Sequence, residues 1–207
     1  AVTFTNKAAR EMQQRVGKLL LGKQSHGLRI STFHALGLDI LRQEHKTLGY
    51  QAAMTLFDEY DKAMLLKNLF LQEVGDYDNA QIEQYAAKIG HWKNAFITPE
   101  QAQMHSVSEY DTQMANLYLH YTRCLHAYNA VDFDDLILKP VLLFQAYPAA
   151  LKKWQNRIRY LLVDEYQDTN LTQYQLVKLL VGTIANFTVV GDDDQSIYAW
   201  RGAQPEN

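Results

Sequence analysis

The run IRYLLV at residues 158–163 constrains this chain more than any other stretch. It is the strongest strand signal in the sequence, and it ends abruptly at Asp164-Glu165, with Asp168 three residues on. A second apolar run, ANFTVV at 185–190, stops the same way, at Gly191 followed by Asp192, Asp193 and Asp194. AVTF (1–4) and LRISTF (28–33) predict two further short strands. Between them Ala8, Met12, Val16 and Leu19 or Leu20 recur at helical spacing, with Asn6 as the expected cap. A second helix is predicted from about His34 to Glu44. A third, capped by Thr169 or Asn170, carries Leu171, Tyr174, Val177 and Val181. Strands alternating with helices in this way predict an α/β fold with a parallel sheet. Its acids and turns fall at the carboxyl ends of strands, where open α/β sheets place ligands.

The middle of the chain is different. From 45 to 130 strand signals fade, and helices are predicted near 58–74, 79–92 and 107–128. Met114, Leu117, Tyr121, Cys124 and Leu125 mark one face of the last. This predicts an all-helical insertion, after which DFDDLILKPVLLF (132–144) resumes as a helix that Pro140 bends. A chain of 207 residues is long enough for one good core with a smaller inserted domain. Hydrophobic residues at 47% and charged residues at 21% fit a soluble globular protein. No apolar run approaches 18 residues, which argues against a membrane span, and no secretory leader is visible. Cys124 is the one cysteine, so no intrachain disulfide forms and a reducing, cytoplasmic setting is expected. A net charge of -3 argues mildly against a broad nucleic-acid surface and leaves room for a local groove. The opening AVTFTNKAAR, without methionine, and the close RGAQPEN read as cuts in a longer polypeptide.

Asp164, ending a buried strand, is placed to meet Mg²⁺, and Glu165 beside it to polarise an attacking water. The same pair also reads as two solvated acids opening a helix. Catalysis at a nucleotide phosphate calls for a glycine-rich loop of the form G-x-x-x-x-G-K-[S/T]. The nearest match is Gly17-KLLL-Gly22-Lys23, but Gln24 follows where Ser or Thr is needed, and Gly17 lies within a predicted helix. Gln195 carries both a donor and an acceptor and suits phosphate or water sensing. Tyr198, Trp200 and Arg201 follow closely, either as a base-stacking, phosphate-contacting cluster or as a packed aromatic turn.

VDEYQDTN and VVGDDDQSIYAWRGA resemble the second and third motifs of superfamily 1 DNA helicases of the UvrD/Rep/PcrA type. AVTFTNKAAREM resembles the segment after that family's phosphate loop, and ISTFHALGLDIL and VDFDDLI match two more of its stretches, so the similarity runs almost end to end. The resemblance implies part of a RecA-like P-loop NTPase motor domain, with the phosphate loop absent from this chain. Residues 1–44 and 131–207 then form the motor domain, and 45–130 the helical insertion. ATP and Mg²⁺ are the implied cofactors. Single-stranded DNA, the single/double-strand junction, a second motor domain and replication or repair proteins are the implied partners. Asp164 resembles the metal-holding acid, Glu165 the catalytic base, and Gln195 the residue that couples phosphate state to DNA grip. Phe4, Thr5, Asn6, Thr32, Phe33, His34, Tyr198, Trp200 and Arg201 resemble DNA-side residues. Taken alone, Phe4 and Phe33 read as core, and His34 as a cap or surface residue. Asp132, Asp134 and Asp135 read as structural or DNA-proximal rather than as metal ligands, and Asp192 to Asp194 as turn formers. The expected activity is 3′-to-5′ translocation and unwinding by the parent enzyme, with the isolated piece inactive. A helicase-like subunit of a recombination nuclease complex and a non-enzymatic DNA-binding module are the alternatives.

Overall fold

The computed structural model describes residues 1–20, 27–73, 75, 78–182, 186–196 and 203. Strand β1 (Val2–Thr3) leads into helix α1 (Asn6–Leu19) and then β2 (Ser31–Thr32), which pairs parallel to β1. Helix α2 (Phe33–Glu44) starts on the next residue. After it come β3 (Thr55–Phe57), α3 (Glu59–Glu73), α4 (Asn79–Asn94), α5 (Pro99–Met104), α6 (Glu109–Ala127) and β4 (Ala130–Asp132). Helices α7 (Asp135–Ala146) and α8 (Pro148–Gln155) return the chain to β5 (Tyr160–Val163), and α9 (Leu171–Val181) connects it to β6 (Asn186–Val189). The main sheet has the order β2-β1-β5-β6 with every pairing parallel. The chain therefore fills one side of β1, inserts its helices, and crosses to the other side.

Local chemistry sets the element ends, and it corrects the sequence reading in places. Thr5, not Asn6, caps α1: its Oγ1 accepts from the Ala8 N–H at 3.1 Å. Thr32 caps α2 in the same way, which starts that helix at Phe33 and ends the strand early. Asn170 caps α9 in a reciprocal box with Gln173, as expected for one of the two candidates. The insertion is not all helical. Strands β3 and β4 pair parallel at its two ends and close it as a two-stranded ribbon. Each is only three residues long, too short to show a period-2 pattern. Helix α5 was also unforeseen, although Thr98-Pro99-Glu100-Gln101 is a capping box with proline at the first turn.

Two main apolar clusters result. One lies under the main sheet and includes Val2, Phe33, Ile40, Val141, Val163 and Leu176. The other fills the insertion, where Leu66, Phe70, Ile89, Met114 and Tyr121 are all but sealed from solvent and Trp92 stacks on Tyr118 at 5.5 Å. Each such side chain contributes roughly 1.5–3 kcal/mol on burial. Pro140 sits inside α7 and supplies no N–H to the Leu136 carbonyl one turn back. That carbonyl faces Gly37 of α2, so closely that a Cβ there would lie 1.8 Å from its oxygen. Gly37 and Pro140 are thus matched across the α2–α7 contact.

Candidate functional site

Because the strands run parallel, their carboxyl ends form one edge, and every described candidate residue lies at or just after one of them. Tyr198, Trp200 and Arg201 lie outside the described residues, as do Gly22, Lys23 and Gln24. Gly17 is inside α1, where its amide belongs to the helix rather than to a phosphate cradle.

Asp164 continues β5. Its N–H donates to the Val2 carbonyl at 2.9 Å, and the fully buried Thr3 donates its Oγ1–H to Asp164 Oδ2 at 3.3 Å. The carboxylate is half-buried, with one oxygen fixed by that hydroxyl. Glu165 then reverses the chain with φ 54° and ψ 45°, a left-handed conformation uncommon outside glycine, Asn and Asp. Such backbone costs of order 1–3 kcal/mol and clusters at functional sites. It leaves the Glu165 side chain exposed while Tyr166–Asp168 fold as a 3₁₀ turn. The Tyr166 N–H donates to the Val190 carbonyl at 2.9 Å, and the Val190 N–H to the Val163 carbonyl at 2.8 Å. The acidic turn and the end of β6 are thereby stitched together.

Gln167 lies at the centre of that seam and is 3% exposed. Its Nε2 donates to Glu165 Oε2 at 2.8 Å, and its Oε1 accepts from the Asp192 N–H at 3.1 Å. The Asp192 carboxylate accepts from the Asp194 N–H at 3.1 Å and from Gln195 Nε2 at 2.7 Å. It thus organises the 3₁₀ turn Asp193–Gln195 that bears Gln195. Among the described residues, no three His, Cys, Asp or Glu side chains gather as a metal cluster.

On the β1 and β2 side, Phe4 is half-buried and Thr5 and Asn6 are exposed. Thr32 and Phe33, at 6% and 2% exposure, are buried beneath. His34 is half-buried and meets Phe133 edge-on at 5.8 Å; burial pushes its pKa down and favours the neutral ring. Asp132, Asp134 and Asp135 are taken up elsewhere. Lys93 Nζ donates to Asp132 Oδ2 at 2.7 Å and to Asp135 Oδ1 at 2.9 Å, while Asn94 Nδ2 donates to Asp134 Oδ1 at 3.0 Å. Asn94 Oδ1 in turn accepts from Asn170 Nδ2 at 2.6 Å. Thr172 Oγ1 reaches the carbonyls of Lys93 and Asn94 at 2.7 and 3.0 Å. The end of α4 is therefore docked on the start of α9, immediately after the acidic turn. Gln167, Lys93 and Asn94 escaped the sequence reading. Only Gln167 carried a signal, its place within the acidic motif.

A parallel sheet with acids on its carboxyl edge and a helical insertion after the second strand defines a RecA-like α/β domain. The whole chain, residues 1–207, matches the model of the UvrD/REP helicase N-terminal domain, and the chain belongs to that family. It is 56% identical over 207 residues to the ATP-dependent DNA helicase Rep of Escherichia coli (strain K12), an alignment that covers all of this chain and 31% of that protein. It is 47% identical to the protein of the same name from Buchnera aphidicola subsp. Schizaphis graminum (strain Sg), covering 31% of it. Identity to the ATP-dependent DNA helicase PcrA of Staphylococcus aureus (strain NCTC 8325 / PS 47) is 42%, over 28% of that protein. The chain thus spans less than a third of the length of these relatives.

Proposed function

We propose that these residues form one half of the ATP-hydrolysis site, and the adjoining DNA surface, of an ATP-dependent 3′-to-5′ DNA helicase. The observation that carries this reading is the strained Glu165, exposed beside Asp164 and tied through Gln167 to the turn that bears Gln195. Asp164 fits Mg²⁺, which needs only one or two carboxylates and otherwise binds substrate phosphate and water. When bound, the ion supplies charge neutralisation at the phosphates. Glu165 accepts the proton of the attacking water, and Gln195 faces the phosphate side. Phe4, Thr5, Asn6 and His34 offer a contact edge to single-stranded DNA, with Thr32 and Phe33 supporting it from beneath and Tyr198, Trp200 and Arg201 extending it. In this proposal residues 1–44 and 131–207 form the first motor domain, 45–130 its insertion, and the phosphate loop and second motor domain lie elsewhere in a longer cytoplasmic protein. The single/double-strand junction and replication or repair proteins would be its further partners. Among the described residues no helix is long and apolar enough to cross a membrane.

The test compares ATP turnover with single-stranded DNA in the full-length protein and in residues 1–207 alone. Glu165→Gln is expected to abolish turnover in the former, and the latter is expected to show none. Persistent activity of the full-length Glu165→Gln protein overturns the site. Turnover by the pure 207-residue chain, lost with the same substitution, overturns the shared-site reading.

A further inference from the structure

We propose that Gln167 is a positioning residue for hydrolysis, holding the Glu165 carboxylate in place and linking it to the Gln195 turn. This rests on the reading of Glu165 as the base, and the argument for Gln167 itself is geometric. Glu165 is exposed, so little packing restricts its carboxylate. A glutamate side chain loses much rotamer freedom when it is fixed. Gln167 fixes it from a buried position with a bond of 2.8 Å.

The amide has only one sensible orientation. The Asp192 N–H is a donor and can be met only by the amide oxygen, which leaves the NH₂ group facing Glu165. One side chain thus reads a backbone group of the β6 turn with one arm and holds the carboxylate with the other. Gly191 makes the approach possible, since a Cβ there would lie 2.7 Å from Gln167 Oε1. Asp192 continues the chain of contacts to Gln195 Nε2 at 2.7 Å. Movement of the Gln195 turn therefore moves the acceptor-side anchor of Gln167, and with it the hold on Glu165.

The experiment is steady-state ATP turnover by the full-length protein with saturating single-stranded DNA. Gln167→Leu is expected to lower kcat by about 10- to 100-fold, the range seen when a group that orients a reacting one is removed. KM for ATP is expected to change by less than about threefold, because no contact made equally in ground and transition states is lost. A double-mutant cycle with Glu165→Asp separates positioning from general loosening. The shortened carboxylate no longer reaches Gln167, so Gln167→Leu should cost far less in that background. Equal losses in both backgrounds, or a wild-type kcat for Gln167→Leu, overturn the proposal. Should Gln167→Leu fail to fold, Gln167→Glu keeps the acceptor for Asp192 and replaces the donor with a repelling carboxylate. A comparable kcat loss is then expected, and unchanged kcat overturns the proposal. Glu165→Gln is run in parallel: if that variant still turns over, the base assignment itself has failed, a different outcome from failure of Gln167 alone.

Discussion

Lys93 has 1% of its side chain exposed, and it is tolerated there because two carboxylates close on it. Asp132 also accepts from Tyr121 OH at 2.9 Å and from the Asp135 N–H at 2.9 Å, so its oxygens are well satisfied. Breaking such a pair from one side leaves uncompensated buried charge. Lys93→Met is therefore expected to destabilise the protein by about 3–5 kcal/mol, measured by urea unfolding. A loss under about 1 kcal/mol would mean that solvent reaches the acids. The same cluster sets an acid limit. Burial pushes the Asp132 pKa up, but Lys93 and then Lys62 overcome it and hold the group at about 2. Its unfolded value is about 3.9, so its stabilising contribution is complete above that pH and is lost as pH falls through about 2. Asp134 runs the other way: burial and the neighbouring Asp132 raise its pKa, so it lowers stability as pH rises above its unfolded value. Asp132→Asn is expected to flatten the stability slope between pH 4 and 2, followed by circular dichroism in constant urea. At this scale the sequence shows the acids but not their partner. Lys93 stands 39 residues before Asp132 and reads no differently from a surface lysine on a helix.

Among the elements, the strands of the main sheet were legible because each lies in a β-prone run that ends in a turn or helix cap. β5 and β6 fall inside the runs that predict them, and α3, α4 and α6 lie within about two residues of their expected bounds. The ribbon of β3 and β4 was not legible, since its pairing joins residues 75 apart, as in Thr55 with Ala130. The α2–α7 contact was equally hidden, because it depends on a carbonyl freed by Pro140 meeting a helix with no side chain at position 37. A methyl group there meets backbone rather than a movable side chain, so relief requires the helices to separate. Gly37→Ala is expected to cost about 3 kcal/mol, at the upper end of overpacking effects. Thermal unfolding should show it, and a neutral result would place the two helices farther apart than the structure has them.

At the scale of the whole molecule, the acids of the proposed site stand out because their motif is continuous in sequence. The coupling of insertion to site does not, because it is carried by α4 carbonyls and by Asn94, which only the fold brings to Asn170. The surface of β6 bears on whether the proposed site is completed from outside the described sheet. Parallel sheets are normally covered on both faces. Yet Phe187, Val189 and Val190 are 55%, 39% and 52% exposed, and β6 pairs with β5 alone among the described strands. Phe187 and Val189 lie on one face of the strand and Val190 just past its end, and among the described strands none pairs with its outer edge. An unpaired apolar edge of this kind recruits other chains. Residues 1–207 in isolation are therefore expected to associate with rising concentration in sedimentation experiments. Phe187→Lys should return the chain towards monomer, since a charge on the edge strand opposes pairing. In the full-length protein, where the segment carrying the proposed phosphate loop would cover β6, the same substitution should instead lower stability. A monomeric 207-residue chain at all concentrations would mean that the edge needs no such cover.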